Sequence, residues 1–331
     1  MSLGGALSVP KQSFLEILQT DLLEHPAVRA WSRLQPERVE PKEIVLLERN
    51  NKSKIYQLVS VGPGGSAVVA KYCKRSIALL ERTTYQEILP RLPVKSLHFY
   101  GFVEGDADFD WLFLEYVDGE RYSNDVREHR ELGARWLSRL HSSAAGLNLA
   151  GRLPDLGPSH HLGILRLTRR RLLPVLSDPA LKSEDAAVLN SIVRQCDLLE
   201  SRWDHVEKWC AGVPETLLHG DFKPDNLRIR TGPAGAALVP FDWEMVGWGV
   251  PARDLFHVDL GLYHSLVRNS WPGLDIAAVK KLGIVGTLFR RLTAIGWTIE
   301  RLVPRPFEFE MSCLRSYQAD IAEAIRIAGW G

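Results

Sequence analysis

Five side chains of the kinds that bind metal ions and move protons lie within eight residues of one another. The segment HGDFKPDN contains His219, Asp221, Lys223, Asp225 and Asn226. The apolar TLL precedes it, and the alternating LRIR, the turn-forming TGPAG and the apolar AALVPF follow it. Alternation, turn residues and an apolar return are typical of a β-hairpin, which here would begin where the polar loop ends.

The register of this hairpin decides which polar side chains meet. We expect Leu227 to lie opposite Phe241. The same antiparallel register places Asn226 opposite Asp242, close to Asp221. Carboxylate and amide oxygens suit Mg²⁺, which is usually held by one or two carboxylates together with water and substrate phosphates. Asp221 is then available to orient an acceptor hydroxyl and take its proton, which is chemistry that phosphoryl transfer requires.

The combination of HGDFKPDN with the later FDWE and GWGVPARDL resembles the catalytic and metal-binding loops of the aminoglycoside phosphotransferase and choline kinase superfamily, relatives of protein kinases. The resemblance implies that Asp221 is the catalytic base and that Asn226 and Asp242 bind Mg²⁺. The loop is also similar to the HRDLKPEN-type loop of serine/threonine protein kinases, which implies that Lys223 reaches the γ-phosphate. FDWE stands where protein kinases have DFG, so a Phe-gated switch is not expected.

The resemblance implies an α+β fold: a bilobal, protein-kinase-like structure with a small N-terminal antiparallel-sheet lobe and a larger, mainly helical C-terminal lobe. Apolar spacing predicts a helix over 11–34, within an N-terminal helical appendage of residues 1–42. Strand patterns predict a five-stranded, nucleotide-binding lobe over 43–118. Helical patterns, including one long amphipathic helix that contains 189–206, predict the larger lobe over 119–331, which would carry the catalytic loop and the acceptor site.

One lysine of the smaller lobe lies in an unusual setting. Lys71 is part of the apolar strand VVAKYCK, where a lysine must extend to water or meet an anion. By resemblance it holds the α- and β-phosphates of ATP or GTP, with an acidic partner on the next helix. Glu81 and Glu87 are both candidates, and Glu81 is preferred because its spacing from Pro93 resembles that of the family.

Two further segments are predicted to contact nucleotide. The turn ERNNKS would overhang it, and since the turn contains no glycine, Asn50, Ser53 and the backbone amides would face phosphate. A solvated hairpin is the alternative interpretation of this turn. The strand WLFLEYVDGE resembles the hinge strand of the family, so backbone groups of Glu115, Tyr116 and Val117 would pair with the adenine edge.

Composition limits the other possible partners. The formal charge is +1, with 41 basic and 40 acidic residues, so no overall field attracts nucleic acid or an anionic membrane. Four scattered cysteines are expected to be reduced thiols. There is no signal-peptide pattern and no uninterrupted apolar run of about 18 residues, so a cytoplasmic, soluble protein is expected.

The acceptor is predicted only as a class, a small molecule with a hydroxyl group that is aminoglycoside-, choline- or sugar-like. Residues 257–331 contain seven acidic and nine basic residues, which argues against a dedicated site for a polycationic aminoglycoside. Tryptophans in the same half of the chain would stack on a choline-like or sugar-bearing molecule, or form core. Two functions stay open: an ATP- and Mg²⁺-dependent kinase, or a catalytically idle kinase-like protein that binds nucleotide for regulation.

Overall fold

A computed structural model describes residues 16–147, 149–179, 181–233, 235–302 and 308–331. The described backbone forms two compact units. The first combines the residues up to Ser123 with Asp221–Val246, and the second combines Asn124–Gly220 with Gly247–Gly331. The segment that follows Gly220 is thus grouped with the N-terminal sheet, whereas the sequence assigned it to the larger lobe. The domain division into 1–42, 43–118 and 119–331 stays a prediction.

An antiparallel sheet of six strands forms the core of the first unit. The strands are β1 (Glu16–Leu18), β2 (Ile44–Arg49), β3 (Ser53–Leu58), β4 (Val68–Lys74), β5 (Phe99–Val103) and β6 (Phe109–Glu115). Their spatial order is β1-β2-β3-β4-β6-β5. Trp31 and Phe113 are fully buried in the apolar cluster on this sheet. Five of the six strands are those that the sequence predicts, and helix α2 (Arg75–Thr83) follows β4.

The sixth strand corrects the predicted helix over 11–34. Glu16–Leu18 pairs with β2 along the edge of the sheet, and helix α1 spans only Pro26–Trp31. The helix begins at proline, and the preceding His25 accepts a hydrogen bond from the Ala27 amide, as N-terminal caps do. A few apolar residues fit a helix and a strand equally well. Residues 16–18 form a strand because β2 has an edge with which they can pair. Residues 11–15 lie outside the described residues.

The hairpin of the first unit forms one residue out of the predicted register. Strand β9 (Leu227–Gly232) pairs with β10 (Gly235–Pro240), and β7 (Glu120–Arg121) lies on the other side of β9. Leu227 lies opposite Pro240, so the prediction that it faces Phe241 is wrong. The Phe241 amide donates to the Asn226 carbonyl at 3.0 Å, and Asp242 is therefore one residue beyond the position opposite Asn226.

The second unit is mainly helical. Its helices are α3 (Arg127–Ala144), α4 (Pro158–Leu176), α5 (Ser183–Ser201), α6 (Trp203–Cys210), α7 (Leu260–Val267), α8 (Ile276–Leu302) and α9 (Glu308–Ala328). Strands β8 (Thr216–Leu218) and β11 (Gly247–Gly249) pair with each other, and a 3-10 helix spans Pro251–His257. None of the helices in the described part of the chain is apolar over a length that would cross a membrane.

The long helix predicted to contain 189–206 is broken. Helix α5 ends and α6 begins at Arg202, whose φ of −113° and ψ of 12° are not helical. The apolar stripe continues through the break, because Leu199, Trp203 and Val206 are all buried. The apolar stripe therefore predicts which side of the two helices is buried, but it does not predict the break at Arg202. The predicted class, a small antiparallel sheet with a mainly helical remainder, is confirmed.

Candidate functional site

Lys71 is the centre of a buried charge cluster in the first unit. It lies on β4 and is 4% exposed. Its Nζ is 2.6 Å from Glu81 Oε1 and 2.7 Å from Asp242 Oδ1, and we call these three residues the Lys71 cluster. Burial alone would lower the pKa of Lys71, but the Asp242 and Glu81 carboxylates raise it well above its ordinary value. The ammonium group therefore stays charged in this apolar strand.

Of the two candidate partners on the sequence, Glu81 is the one that contacts Lys71. Glu81 lies on α2 and is completely buried, whereas Glu87 is exposed on the following turn. The second oxygen of Glu81, Oε2, accepts no hydrogen bond from the residues that the structure describes. Burial raises the pKa of Glu81 to about 7, against the opposing charge of Lys71. The predicted role of the pair in nucleotide binding stays a prediction.

Asp221, Lys223 and Asn226 form a second polar group, which we call the Asp221 group. Asp221 Oδ2 accepts a hydrogen bond from Asn226 Nδ2 at 3.0 Å and lies 2.6 Å from Lys223 Nζ. Asn226 Nδ2 also donates to the Asp221 carbonyl at 3.0 Å. A short helical turn, Pro224–Asn226, folds the asparagine back over the aspartate. Because the NH₂ group of Asn226 is directed at Asp221, its Oδ1 is presented as an acceptor.

The carboxylate of Glu244 is affected by acidic residues of both groups. Glu244 is an acidic residue that belongs to neither group, and the sequence singled it out only as a departure from DFG. Burial, followed by the charge of Asp242, raises the pKa of Glu244, and Asp221 adds to the effect. Lys71 and Lys52 act in the opposite direction. Acidic side chains are thus concentrated at one place in the first unit.

The backbone at Asp242 is strained. Its φ is 67°, in the left-handed region that residues other than glycine adopt at a cost of roughly 1–3 kcal/mol. Aspartate tolerates this region better than most residues, because its short side chain can bond locally. Strain of this kind is common where a side chain must be aimed for function.

The chemistry of these donors fits a magnesium ion. Among the described residues, no three His, Cys, Asp or Glu side chains form a ready-made metal site. Mg²⁺ does not need one, since it keeps several waters and takes one or two carboxylates together with phosphate oxygens. Burial is the main reason that the pKa of Glu244 is raised, and the charges of Asp242 and Asp221 add to it; a divalent cation would relieve this added repulsion.

The turn between β2 and β3 is organised differently from the prediction. Asn50 Oδ1 accepts hydrogen bonds from the amides of Lys52 and Ser53 at 2.7 and 2.8 Å, and from Ser53 Oγ at 3.3 Å. Asn50 Nδ2 donates to Glu48. Asn50 therefore closes the turn in the place of glycine, and the groups of Asn50 and Ser53 that were expected to face phosphate are bonded within the turn. Lys52 is the residue of this turn whose charge acts on Glu244.

Part of the predicted hinge backbone is also engaged. The Glu115 amide donates to the His98 carbonyl at 2.9 Å, and the Tyr116 amide donates to Ala67 at 3.4 Å. The Glu115 carboxylate accepts from the His98 amide and from Arg230. Two of the three amides are thus bonded within the first unit, and the pairing of backbone N–H and C=O groups of Glu115 to Val117 with the adenine edge stays a prediction.

In the second unit, Asp254 holds the backbone that enters the HGDFKPDN segment. It is fully buried and accepts the amides of His219 and Gly220 at 2.7 and 2.9 Å. His141 Nε2 lies 3.3 Å from the same carboxylate, and its Nδ1 is 2.9 Å from the Tyr263 hydroxyl. Burial opposes ionisation of Asp254, but the His141 contact and the backbone bond hold its pKa below the ordinary value. His141 lies within α3, three residues before its end, and the sequence analysis gave it no role.

The sequence matches the model of a known protein family. A family model described as "Phosphotransferase enzyme family" matches residues 63–292, more than half of the chain. Among curated proteins, the sequence comparison finds no match.

Several solved structures share the fold. APH(2")-IIia, solved with GDP and kanamycin, is 13% identical with a TM-score of 0.61, over 89% of this chain and 98% of that chain. Spectinomycin phosphotransferase APH(9)-Ia, solved with ADP and spectinomycin, is 10% identical with a TM-score of 0.58, over 86% and 94%. The ethanolamine kinase of Plasmodium vivax is 15% identical with a TM-score of 0.51, over 85% and 82%.

At such low identities these structures establish the fold, which confirms the predicted kinase-like class, and the family match establishes the kind of enzyme. The chain belongs to the phosphotransferase enzyme family.

Proposed function

We propose that this enzyme transfers the γ-phosphate of ATP or GTP, in the presence of Mg²⁺, to a hydroxyl group of a small molecule. The observation that carries the proposal is the Lys71 cluster, a lysine buried in a β-strand between two carboxylates. Burying a charge costs stability unless the charge is paired. Buried ionisable groups with strongly shifted pKa values are typical of functional sites.

Lys71 is proposed to bind the α- and β-phosphates. Its ammonium is the cation of the cluster, and Glu81 fixes its position at 2.6 Å. The adenine or guanine edge would pair with backbone groups of Glu115, Tyr116 and Val117. Solved structures of the same fold contain GDP or ADP, which supports a purine nucleotide as the phosphate donor.

Asp221 is proposed to orient the acceptor hydroxyl and to take its proton. Its Oδ2 is held by Asn226 and by Lys223, so the carboxylate has a fixed direction before substrate arrives. We propose that Lys223 moves from Asp221 to the γ-phosphate when nucleotide binds, because the phosphate carries more negative charge than one carboxylate. Preorganised groups of this type supply most of the catalysis in phosphoryl transfer.

Asn226 Oδ1 and the Asp242 carboxylate would hold Mg²⁺. When bound, the ion would neutralise charge on the transferred phosphoryl group. Asp242 also contacts Lys71, so one carboxylate connects the nucleotide-binding lysine with the metal position.

The acceptor is proposed to be an amino alcohol, a sugar or an aminoglycoside. The family folds include aminoglycoside phosphotransferases and an ethanolamine kinase. Residues 257–331 contain more basic than acidic residues, which favours acceptors of low positive charge. No overall charge recommends a nucleic acid or membrane partner.

The proposal is tested by measuring ADP or GDP release from ATP or GTP with Mg²⁺ over a panel of amino alcohols, sugars, nucleosides and aminoglycosides. One acceptor class should raise release above the slow hydrolysis by water. Asp221→Asn should lower kcat by about 10²–10⁴-fold while nucleotide affinity is retained.

Asp225→Asn is the matched control, because Asp225 is exposed in the same loop. Nucleotide binding without any turnover, unchanged in the Asp221→Asn variant, would instead favour the idle regulatory alternative.

A further inference from the structure

Arg253 is a buried arginine of the second unit, and one of its donors is directed at the start of the HGDFKPDN segment. It is 2% exposed and precedes Asp254 in the 3-10 helix Pro251–His257. Its Nε donates to the Gly220 carbonyl. We propose that Arg253 is a positioning residue for Asp221, and that His161 and Thr293 hold Arg253 in place. The catalytic part of this inference rests on the proposed function.

Gly220 is the residue that this arrangement fixes. Its φ of 78° lies in the left-handed region, which glycine adopts without strain. Asp254 accepts its amide, and Arg253 binds its carbonyl. That carbonyl belongs to the peptide bond that joins Gly220 to Asp221. The two consecutive residues 253 and 254 therefore hold both peptide groups of Gly220, and with them the direction in which the chain reaches Asp221.

The hydrogen bonds of His161 identify its protonation state. His161 Nδ1 lies 2.9 Å from the Gly157 carbonyl, and a carbonyl only accepts, so Nδ1 carries the hydrogen. Nε2 is then an acceptor, and it lies 3.1 Å from Arg253 Nη1. Burial and the neighbouring Arg253 hold the pKa of His161 well below its ordinary value, so the ring stays neutral. A neutral imidazole can accept from a guanidinium, whereas a protonated one would repel it.

A second acceptor comes from α8. Thr293 Oγ1 lies 3.0 Å from the same Arg253 Nη1, and its own hydroxyl donates to Phe289 at 2.9 Å. The His161 ring is stacked on Phe289 with a centroid distance of 3.7 Å. The guanidinium is thus held by acceptors from two different helices, α4 and α8.

The packing of α8 leaves this segment little freedom. A Cβ atom at Gly286 would lie 2.0 Å from the Ala252 carbonyl, so the two backbones are in direct contact there. Gly286 and Thr293 are two helical turns apart on α8. The segment that carries Arg253 is consequently fixed by close backbone packing at one point and by hydrogen bonds at another.

Two pairs of variants separate this role from simple packing. His161→Gln keeps an acceptor where Nε2 lies, and His161→Leu removes it. Both lose the bond to Gly157 and the stacked ring, so their shared loss measures structure alone. Thr293→Ser keeps the acceptor hydroxyl, and Thr293→Val removes it. This second pair replaces the first if the histidine variants do not fold.

We expect two differences within each pair. Amide hydrogen exchange of a peptide that covers 216–222 should be faster by about tenfold or more in the Leu and Val variants than in the Gln and Ser variants. The kcat of the Leu and Val variants should also be lower than that of the Gln and Ser variants by roughly tenfold or more, because small misplacements of catalytic groups reduce turnover strongly. The KM for nucleotide should agree within each pair to within about threefold.

Equal exchange within both pairs would overturn the inference, whatever the activity. Faster exchange without a difference in kcat would overturn the proposal that Arg253 positions Asp221 for catalysis. If the wild-type chain shows no turnover with any acceptor, the proposed function fails, and the exchange measurement still decides whether Arg253 fixes Gly220.

Discussion

At the scale of single residues, one ammonium group shared by two carboxylates sets the electrostatics of the site. Lys71 contacts Glu81 and Asp242, so the cluster carries a net negative charge when both acids are ionised. Glu81 is the more deeply buried of the two, and its second oxygen has no hydrogen bond from the described residues. The protein therefore resists ionisation of Glu81 more strongly than that of an exposed carboxylate.

This resistance predicts a pH-dependent stability difference between wild type and Glu81→Gln. Burial raises the pKa of Glu81 from 4.5 to about 7, so the folded chain binds a proton that the unfolded chain has released. Wild-type stability is thus lost as pH rises from about 4.5 to about 7, and glutamine has no such loss. The free energy of unfolding of Glu81→Gln minus that of wild type should rise across this window and level off above it.

Urea unfolding at a series of pH values measures this difference. Glu87→Gln is the matched control, because it makes the same substitution at an exposed glutamate close to Glu81 in the sequence. A difference for Glu81→Gln that falls with rising pH would mean that Lys71 keeps Glu81 ionised throughout, contrary to this prediction.

Asp242 is the residue whose removal should affect the metal. Asp242→Asn keeps the shape of the side chain and removes the negative charge that Mg²⁺ requires. We expect the Mg²⁺ concentration that gives half of the maximal nucleotide binding to rise by about tenfold or more, as measured by calorimetry at fixed nucleotide. Asp225→Asn should leave it unchanged. Equal Mg²⁺ dependence in the two variants would remove Asp242 from the proposed metal site.

At the scale of elements, the hairpin β9–β10 carries Asn226 and Asp242 at its open end, and its register sets their relative position. Leu227 lies opposite Pro240. A register shift of one residue turns every side chain of a strand to the other face. The sequence could not fix the register, because LVPF is apolar at every position and has no alternation that distinguishes one face from the other.

Engineered disulfides would decide between the two registers. Thr231 lies opposite Ala236, and both are exposed. The register expected from the sequence would instead pair Thr231 with Ala237. We expect the double variant Thr231→Cys/Ala236→Cys to form a cross-strand disulfide on mild oxidation, which non-reducing mass spectrometry detects. Thr231→Cys/Ala237→Cys should stay reduced, since neighbouring residues point to opposite faces. The reverse result would restore the predicted register.

Other elements show what residue patterns can and cannot predict. The strand around Lys71 was predictable, as was an acidic partner for a lysine inside an apolar strand. The choice of Glu81 over Glu87 depended on the resemblance to the family. The closure of the β2–β3 turn by Asn50 was available from the known behaviour of asparagine in turns but was not inferred. The support of Gly220 by Arg253, His161 and Thr293 could not be inferred, since their positions span 132 residues of sequence (161 to 293) and no spacing rule connects them.

At the scale of the whole molecule, each compact unit contains buried thiols that can report on its stability. Cys73 lies in the first unit, and Cys196 and Cys210 lie in the second. Burial raises the pKa of each of these three thiols to about 12, so they are neutral and shielded in the folded protein. Cys313 is partly exposed and should react first. Alkylation of the other three requires opening of the structure around them.

Saturating nucleotide with Mg²⁺ should therefore slow alkylation of Cys73. Lys71, Glu81 and Asp242 all belong to the first unit, so a ligand bound there stabilises that unit by mass action. At 100 times the dissociation constant the stabilisation is about 2.7 kcal/mol, which slows labelling through unfolding by about 100-fold.

Cys196 and Cys210, followed by mass spectrometry in the same sample, are the internal reference. If they slow equally, the two units unfold together, and if they do not, the first unit opens by itself. Unchanged labelling of Cys73 at saturating nucleotide would contradict the assignment of the nucleotide-binding residues to the Lys71 cluster.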